Sequence, residues 1–384
     1  MNIEIVGKFF DNHSLSIINR YLAIELDKLN INVHITAIDS INPDFKVDKK
    51  ILIKLKELAS KKTNDKIDVQ LRHTYPPMWS WPNNPETKVI YIQPWEFSKV
   101  PFEWQYKFET FADHLIVPSN WTKERYLEGG ISPDKVSVIP NGYNPNIFKP
   151  EGEHTKLFDQ KKFTFTFVGC GQFRKGIDIL IDTFKDSFVK ADAVRLFIKD
   201  SPQVYGTNNI LHEITKIQYH KSCAEIILND QSLSEEEMSQ IYRSTDVLVH
   251  PYRGEGFGMH VQEAMACGAF PFITGGGATD DFVNENCGLR INSGKRFINL
   301  TDEKIFATKP GDSLTNMGSH SWVLEPDVND FKNKMLYLYY HHEKQNILSK
   351  VASANLFTWE SVSKMYASVL HKITSGITKP TRFK

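Results

Sequence analysis

Cysteine is scarce in this chain, and what there is does not cluster. Cys170, Cys223, Cys267 and Cys287 are the only four among 384 residues, with no C-x-x-C pair and no close histidine spacing. That argues against a disulfide framework and against a cysteine-based metal site, and predicts free thiols, buried in a reducing cytosol. An excess of charge of either sign is also missing: Lys+Arg and Asp+Glu stand at 46 each. A nucleic-acid binder would carry a basic surplus, so none is expected as a partner. The opening "MNIEIVGKFFDNHS" lacks a cationic stretch followed by an apolar one, which is not the pattern of a signal peptide. No apolar run approaches the ~18 residues of a membrane span. These absences predict a cytoplasmic protein. Internal repeats and low-complexity segments are absent as well.

What the chain does contain is a regular alternation. "IEIVG", "VHITAI", "KIDVQLRH", "KVIYIQP", "HLIVPS" and "KVSVIPN" read as strands, with helical stretches such as "LSIINRYLAIELDKL" between several of them. Around residues 140–163 the texture turns to Pro, Asn, Gly and charge, as a linker does. The alternation then restarts with "FTFTFVG", "GIDILIDTFKDSF", "VRLFIKD", "AEIILND", "SEEEMSQIYRST", "DVLVHPY" and "FPFITG". Strand–helix alternation predicts doubly wound parallel sheets, and the length suits two domains. The expected division is 1–150 and 151–357, with a helical pattern in the tail.

Two loops of the second domain carry unusual chemistry. In "VGCGQFRKGIDIL" a strand runs into Gly169, Gly171, Arg174, Lys175 and Gly176, then a helix. Two cations at the start of a helix sit where the macrodipole is already positive, so a bound anion is the natural compensation. Two solvated cations on an exposed loop are the alternative. In "GEGFGMHVQEAMACG", Glu255 lies among glycines and Glu263 inside the helix that follows. Amides near Gly258, Met259 and His260 would face a diphosphate at the helix start. Glu255 would face a sugar, and Glu263 a ribose, since carboxylate oxygens accept from vicinal hydroxyls. Taken alone, Glu255 also reads as surface charge and Glu263 as the partner of a neighbour.

The second of these loops resembles the E-x7-E segment of retaining, family-4 glycosyltransferases of GT-B fold. The likeness extends to "FVGCGQFRKGIDILIDTF", "VSVIPNGYNPNIFKP", "LSEEEMSQIYRSTDVLVHPYRGEGFG", "HTYPPMWSWP", "IQPWEF" and "ADHLIVPSNWTKERY", covering most of residues 70–285. The resemblance implies two Rossmann-like domains facing a cleft, with the nucleotide-sugar donor mainly on the C-terminal one and the tail 358–384 packing back onto the N-terminal one. It implies that Glu255 binds donor-sugar hydroxyls with the Gly256, Phe257 and Gly258 amides, that Glu263 binds the ribose, and that Arg174 and Lys175 contact the diphosphate. Gly171, Lys199, Met259 and His260 join the donor set, and Asn229, Asp230 and Gln231 present backbone to the nucleobase. The implied acceptor is a hydroxyl on a glycan, a lipid-linked glycan or a protein.

The chain departs from the family pattern in places. Trp95-Glu96 stands where many relatives carry His-Asp, and Cys170 where an arginine is common. His73 and Glu96, each near a strand end, are the first-domain candidates to face the reaction centre. Trp79, Trp81, Trp95 and Trp104 read as core, with room for one or two to stack on sugar. No D-x-D run sits at a strand end, and the Arg–Lys pair can supply a divalent metal's electrostatics, so no metal or cofactor is expected. The segment "FKVDKKILIKLKELASKKTNDK" could touch anionic lipid as an interfacial helix, but its interspersed acids favour a solvated face. A sugar-nucleotide epimerase of the same fold, or a non-catalytic nucleotide-sugar binder, are the competing readings.

Overall fold

Branched and aromatic residues fill both faces of most strands, as a parallel sheet covered by helices on each side requires. The computed structural model describes residues 1–41, 45–61, 66–201, 222–298, 321–341 and 355–376. Residues 62–65 of the basic segment and 377–384 of the tail lie outside these. The chain divides into two units: one of 1–95, 99–143 and 357–384, the other of 96–98 and 144–356.

In the first unit, β1 (Asn2–Gly7), β2 (Asn32–Ala37), β3 (Val69–His73), β4 (Lys88–Ile92), β5 (His114–Val117) and β6 (Val136–Val138) form one sheet in the order β2-β1-β3-β4-β5-β6. All pairs are parallel, with Ile3 opposite both Val33 and Val69. Four helices make the crossovers: α1 (Ser14–Lys28), α2 (Lys49–Ser60), α3 (Phe102–Phe111) and α4 (Asn120–Glu128). Local chemistry starts them. His13 accepts from the Leu15 N–H, Asp48 from Lys50 and Ser119 from Thr122. The order reverses between β1 and β3, so Gly7 and His73 end side by side at a topological switch point. The helix Trp359–Thr374 belongs to this unit. Trp359 stacks on Tyr21 of α1 at 5.6 Å with the rings 6° from parallel.

The second unit repeats the plan. β7 (Phe163–Val168), α5 (Ile177–Ser187), β8 (Val194–Lys199), β9 (Glu225–Asn229), α6 (Glu235–Arg243), β10 (Val247–His250), α7 (Met259–Ala266), β11 (Phe270–Thr274) and β12 (Leu289–Ile291) give the sheet order β12-β11-β10-β7-β8-β9, again all parallel. α6 starts with a full capping box, Ser234 with Glu237. The switch point here falls between β7 and β10, the two strands that feed the glycine-rich loops. Two features were not anticipated from the pattern: an antiparallel pair, β13 (Ser293–Phe297) with β14 (Trp322–Pro326), and α8 (Val328–His341), which packs on α5. The four cysteines are free; three are buried and Cys223 is half-buried.

Trp95 and Trp104 are core, whereas Trp81 is 52% exposed. Glu96 does not stay with the strand it follows. Residues 96–98 cluster with the second unit, where Ser98 Oγ accepts from the Trp322 N–H at 2.8 Å.

Candidate functional site

The first loop leaves β7 at Val168. Its two cations lie in a 3-10 turn, Phe173–Lys175, directly ahead of α5. Gly176 is the reason. Its φ of +70° breaks the turn from α5, and a Cβ there would fall 1.8 Å from the Pro251 carbonyl oxygen. Pro251 begins the second loop, so glycine is required both by conformation and by close approach. The loops are then clasped by backbone. The Arg174 carbonyl accepts from the N–H groups of Arg253 at 2.7 Å and Gly254 at 3.1 Å, while Arg174 Nη1 donates to the Gly254 carbonyl at 3.2 Å.

The clasp brings the opposite charges together. Lys175 Nζ lies 2.5 Å from Glu255 Oε2, His250 Nε2 lies 3.0 Å from the same oxygen, and the Gly256 N–H donates to Oε1 at 3.1 Å. Glu255 is 8% exposed and Lys175 9%. The glutamate is therefore a fixed, buried charge, contrary to the surface position that its glycine-rich setting allows. Burial would raise its pKa, but Lys175, the His250 hydrogen bond and Arg174 outweigh burial and hold the carboxyl well below its usual range. Burial lowers His250 to about 4, so its Nε2–H donates from a neutral ring. Glu96 joins at the edge, with its Oε1 3.8 Å from Arg174 Nη2.

Donor atoms of His250, Glu255 and His260 lie within 4.8 Å of one another. Geometrically they could grip a cation. Lys175 already lays an ammonium on the same carboxylate, so a divalent ion would meet like charge there. The set fits the lysine better than a metal.

The remaining candidates spread around this centre. Gly258, with φ of +93°, precedes α7, and no side chain caps that helix. Met259 and His260 form its first turn, with His260 edge-on to His250 at 4.2 Å between ring centroids. Phe257 turns into the core against Phe282, so only its backbone is available to a ligand. Glu263 does not meet Glu255; its Oε2 accepts from Tyr242 Oη of α6 at 3.3 Å. Burial, aided by the charge of Glu235, pushes Glu263 up to about 8. Lys199, at the end of β8, is lowered to about 8 by burial and donates to the Asp200 carbonyl. The Asp200 carboxylate takes a hydrogen bond from the Gly171 backbone. Asn229 ends β9, its Oδ1 buried with no partner among the described residues; Asp230 follows half-buried and Gln231 exposed. His73 belongs to the first unit. Its Nδ1 meets Asn19 Oδ1 at 2.8 Å, its Nε2 has no partner among the described residues, and burial lowers it to about 3.

Sequence reasoning missed His250 and Tyr242. The signal was present in both cases: a histidine at the last position of the strand feeding the loop, and a tyrosine on the helix preceding it.

Two Rossmann-like parallel sheets, with cationic and acidic loops at a switch point, define the GT-B class of glycosyltransferase fold. Solved structures agree on the fold. Sucrose-phosphate synthase from Thermosynechococcus elongatus covers 98% of this chain and 100% of its own at TM-score 0.66 and 15% identity. Anabaena HepE, solved with UDP and glucose, covers 97% and 100% at TM-score 0.60 and 14% identity. The profile of Glycosyltransferase Family 4 matches residues 56–147, and that of Glycosyl transferases group 1 matches 149–296, together more than half of the chain. The chain belongs to the family-4 glycosyltransferases. An uncharacterized glycosyltransferase of Methanocaldococcus jannaschii is 30% identical over 41% of this chain and 39% of its own. Mannosylfructose-phosphate synthase of Agrobacterium fabrum is 30% identical over 38% of this chain and 34% of its own. The matched segments thus span between about a third and two fifths of those relatives.

Proposed function

We propose that this chain is a retaining glycosyltransferase that moves a sugar from a UDP- or GDP-linked donor to a hydroxyl of a glycan, a lipid-linked glycan or a protein. One observation carries the reading: Arg174, Lys175 and Glu255 are gathered at the carboxyl ends of β7 and β10, where an open α/β sheet takes its ligand.

Each group has a part. The diphosphate lies against the Arg174–Lys175 turn and the uncapped start of α7, whose amides favour an anion. It gives Lys175 a second anion to neutralise beside Glu255. Glu255, fixed through Oε2, accepts from sugar hydroxyls. Glu263 takes the ribose hydroxyls, and the backbone at Asn229–Gln231 takes the base. In transfer the bond from the anomeric carbon to the diphosphate oxygen breaks, the acceptor oxygen bonds to the same face, and the acceptor's proton passes to the leaving diphosphate oxygen. Negative charge grows on the leaving phosphate, so the preorganised cations and amides that bind the diphosphate hold it more strongly as the transition state forms. Two side-chain cations supply that charge, so the reaction runs without a metal. His73, at the switch point of the first unit, is the acceptor-side candidate.

The test is a panel of UDP-, GDP- and ADP-sugars offered with hydroxyl acceptors, read by mass and by NMR of the product anomer. The reading requires one donor to yield free nucleoside diphosphate and a product of unchanged anomeric configuration. Conversion of the sugar with no nucleotide release would point to an epimerase, and an inverted product would remove the retaining mechanism.

A further inference from the structure

Arg253 lies two residues before Glu255, and all five of its N–H groups are engaged. Nε donates to Glu325 Oε2 at 2.9 Å, and Nη2 to Glu325 Oε1 at 3.0 Å and Asp178 Oδ2 at 2.8 Å. Nη1 donates to Asp178 Oδ1 at 2.7 Å and to the Phe173 carbonyl at 2.9 Å. The guanidinium stacks on the Phe173 ring at 3.7 Å and is 3% exposed. Its partners come from three places: Asp178 in the first turn of α5, Glu325 on β14 and Phe173 in the cationic turn.

We infer that Arg253 is a positioning residue for transfer, a planar clamp that sets the register between the Arg174–Lys175 turn and the Glu255 loop. The inference rests on the nucleotide-sugar reading above. Arg253 would touch neither phosphate nor sugar; it acts through Arg174, Lys175 and Glu255. The two loops are 80 residues apart in sequence and share no covalent restraint. Backbone contacts at Arg174 fix their distance, but those bonds alone leave each loop free to rock about its glycines. A fork that binds two carboxylates bidentately, and a carbonyl on the opposite loop, removes that freedom. Lysine has the charge but only three donors on one nitrogen, so it can bridge two carboxylates singly, as Lys54 does between Asp27 and Glu57, but it cannot grip both bidentately and reach the Phe173 carbonyl as well. Asp178 is 47% exposed and Glu325 29% at the side chain. Without Arg253, Asp178 can turn to water and Glu325 keeps Arg296 Nη1 at 3.1 Å, so its loss disturbs register more than folding.

The experiment compares Arg253→Met and Arg253→Lys in the full chain, in the wild-type and in a Glu255→Gln background. Melting temperature and far-ultraviolet circular dichroism check folding, calorimetry reads UDP and GDP affinity, and turnover is followed with UDP-glucose and GDP-mannose. Folded Arg253→Met should lose about 10²-fold in kcat, the scale of a displacement near 1 Å at a reacting centre, with a smaller change in KM. Arg253→Lys should fail to rescue it. In the Glu255→Gln background the same substitution should cost clearly less than in the wild type, because one of the groups it positions is already gone. Wild-type kcat in folded Arg253→Met, rescue by lysine, or losses that multiply in the double variant would each overturn the inference. If the wild type binds neither UDP nor GDP, the nucleotide-sugar reading itself fails, whatever the Arg253 variants do.

Discussion

Glu255 and Lys175 neutralise each other in a place that admits little water, and that fixes what each substitution should do. Glu255→Ala leaves a lysine that is 9% exposed beside Arg174 with no carboxylate. Breaking a buried pair from one side costs about 3–5 kcal/mol, so the variant should melt lower than the wild type. Saturating UDP should restore more melting temperature to Glu255→Ala than it adds to the wild type, because the diphosphate replaces the missing anion. Equal shifts in both proteins would show that Lys175 does not meet phosphate. Glu263 makes a second, pH-dependent prediction. With a pKa raised to about 8, it is mostly protonated at pH 6 in the free protein. A carboxylate accepting from two ribose hydroxyls is held ionised, so donor binding must expel that proton. Affinity for UDP-glucose should then rise between pH 6 and 7.5, by at most about tenfold per unit, and Glu263→Gln should flatten the rise. Calorimetry at the two pH values checks this; a flat wild-type profile would place Glu263 away from the ribose.

The elements that position these residues follow from local rules. The carboxyl ends of β7 and β10 hold their loops at a switch point that strand order alone creates. Gly176 is the joint between them, and its alanine variant must move either the turn or the Pro251 carbonyl. Gly176→Ala should lower the melting temperature and weaken UDP binding together, whereas the φ requirement alone would cost only about 1 kcal/mol or somewhat more in stability. Arg174→Ala combined with Lys175→Ala should weaken UDP by more than tenfold and leave uridine almost unchanged, since each charge-assisted hydrogen bond is worth about 1.5–3 kcal/mol. Equal loss for both ligands would remove the turn from the phosphate site. Much of this was legible in advance. The strand–glycine–helix texture located both loops, and the helix expected around Glu263 is α7. The β13–β14 pair was not legible, because "SGKRF" is polar, mostly exposed and pairs with a strand far along the chain. Nor was the Lys175–Glu255 pair. Each loop alone reads as a ligand site with its charge outward, and only the tertiary clasp turns the charges on each other.

At the scale of the molecule, two sheets of the same plan carry unequal chemistry. The second unit holds the paired cations and acids, while the first offers His73, neutral and half-satisfied, at its own switch point. The balanced net charge adds no general attraction for a polyanion, so the proposed anion site rests on Arg174, Lys175 and the start of α7. It follows that transfer should proceed at the same rate in a chelator, measured by nucleotide release with and without it; a loss restored by magnesium or manganese would mean that the two cations are insufficient. The most direct test of the whole account is the rate at which free nucleoside diphosphate appears from the accepted nucleotide sugar, for the wild type and for Glu255→Ala side by side. The account predicts release by the wild type and a rate about 10²–10³ lower in the variant, with folding confirmed for both. Wild-type rates in folded Glu255→Ala, or no release by the wild type from any nucleotide sugar in the panel, would contradict it.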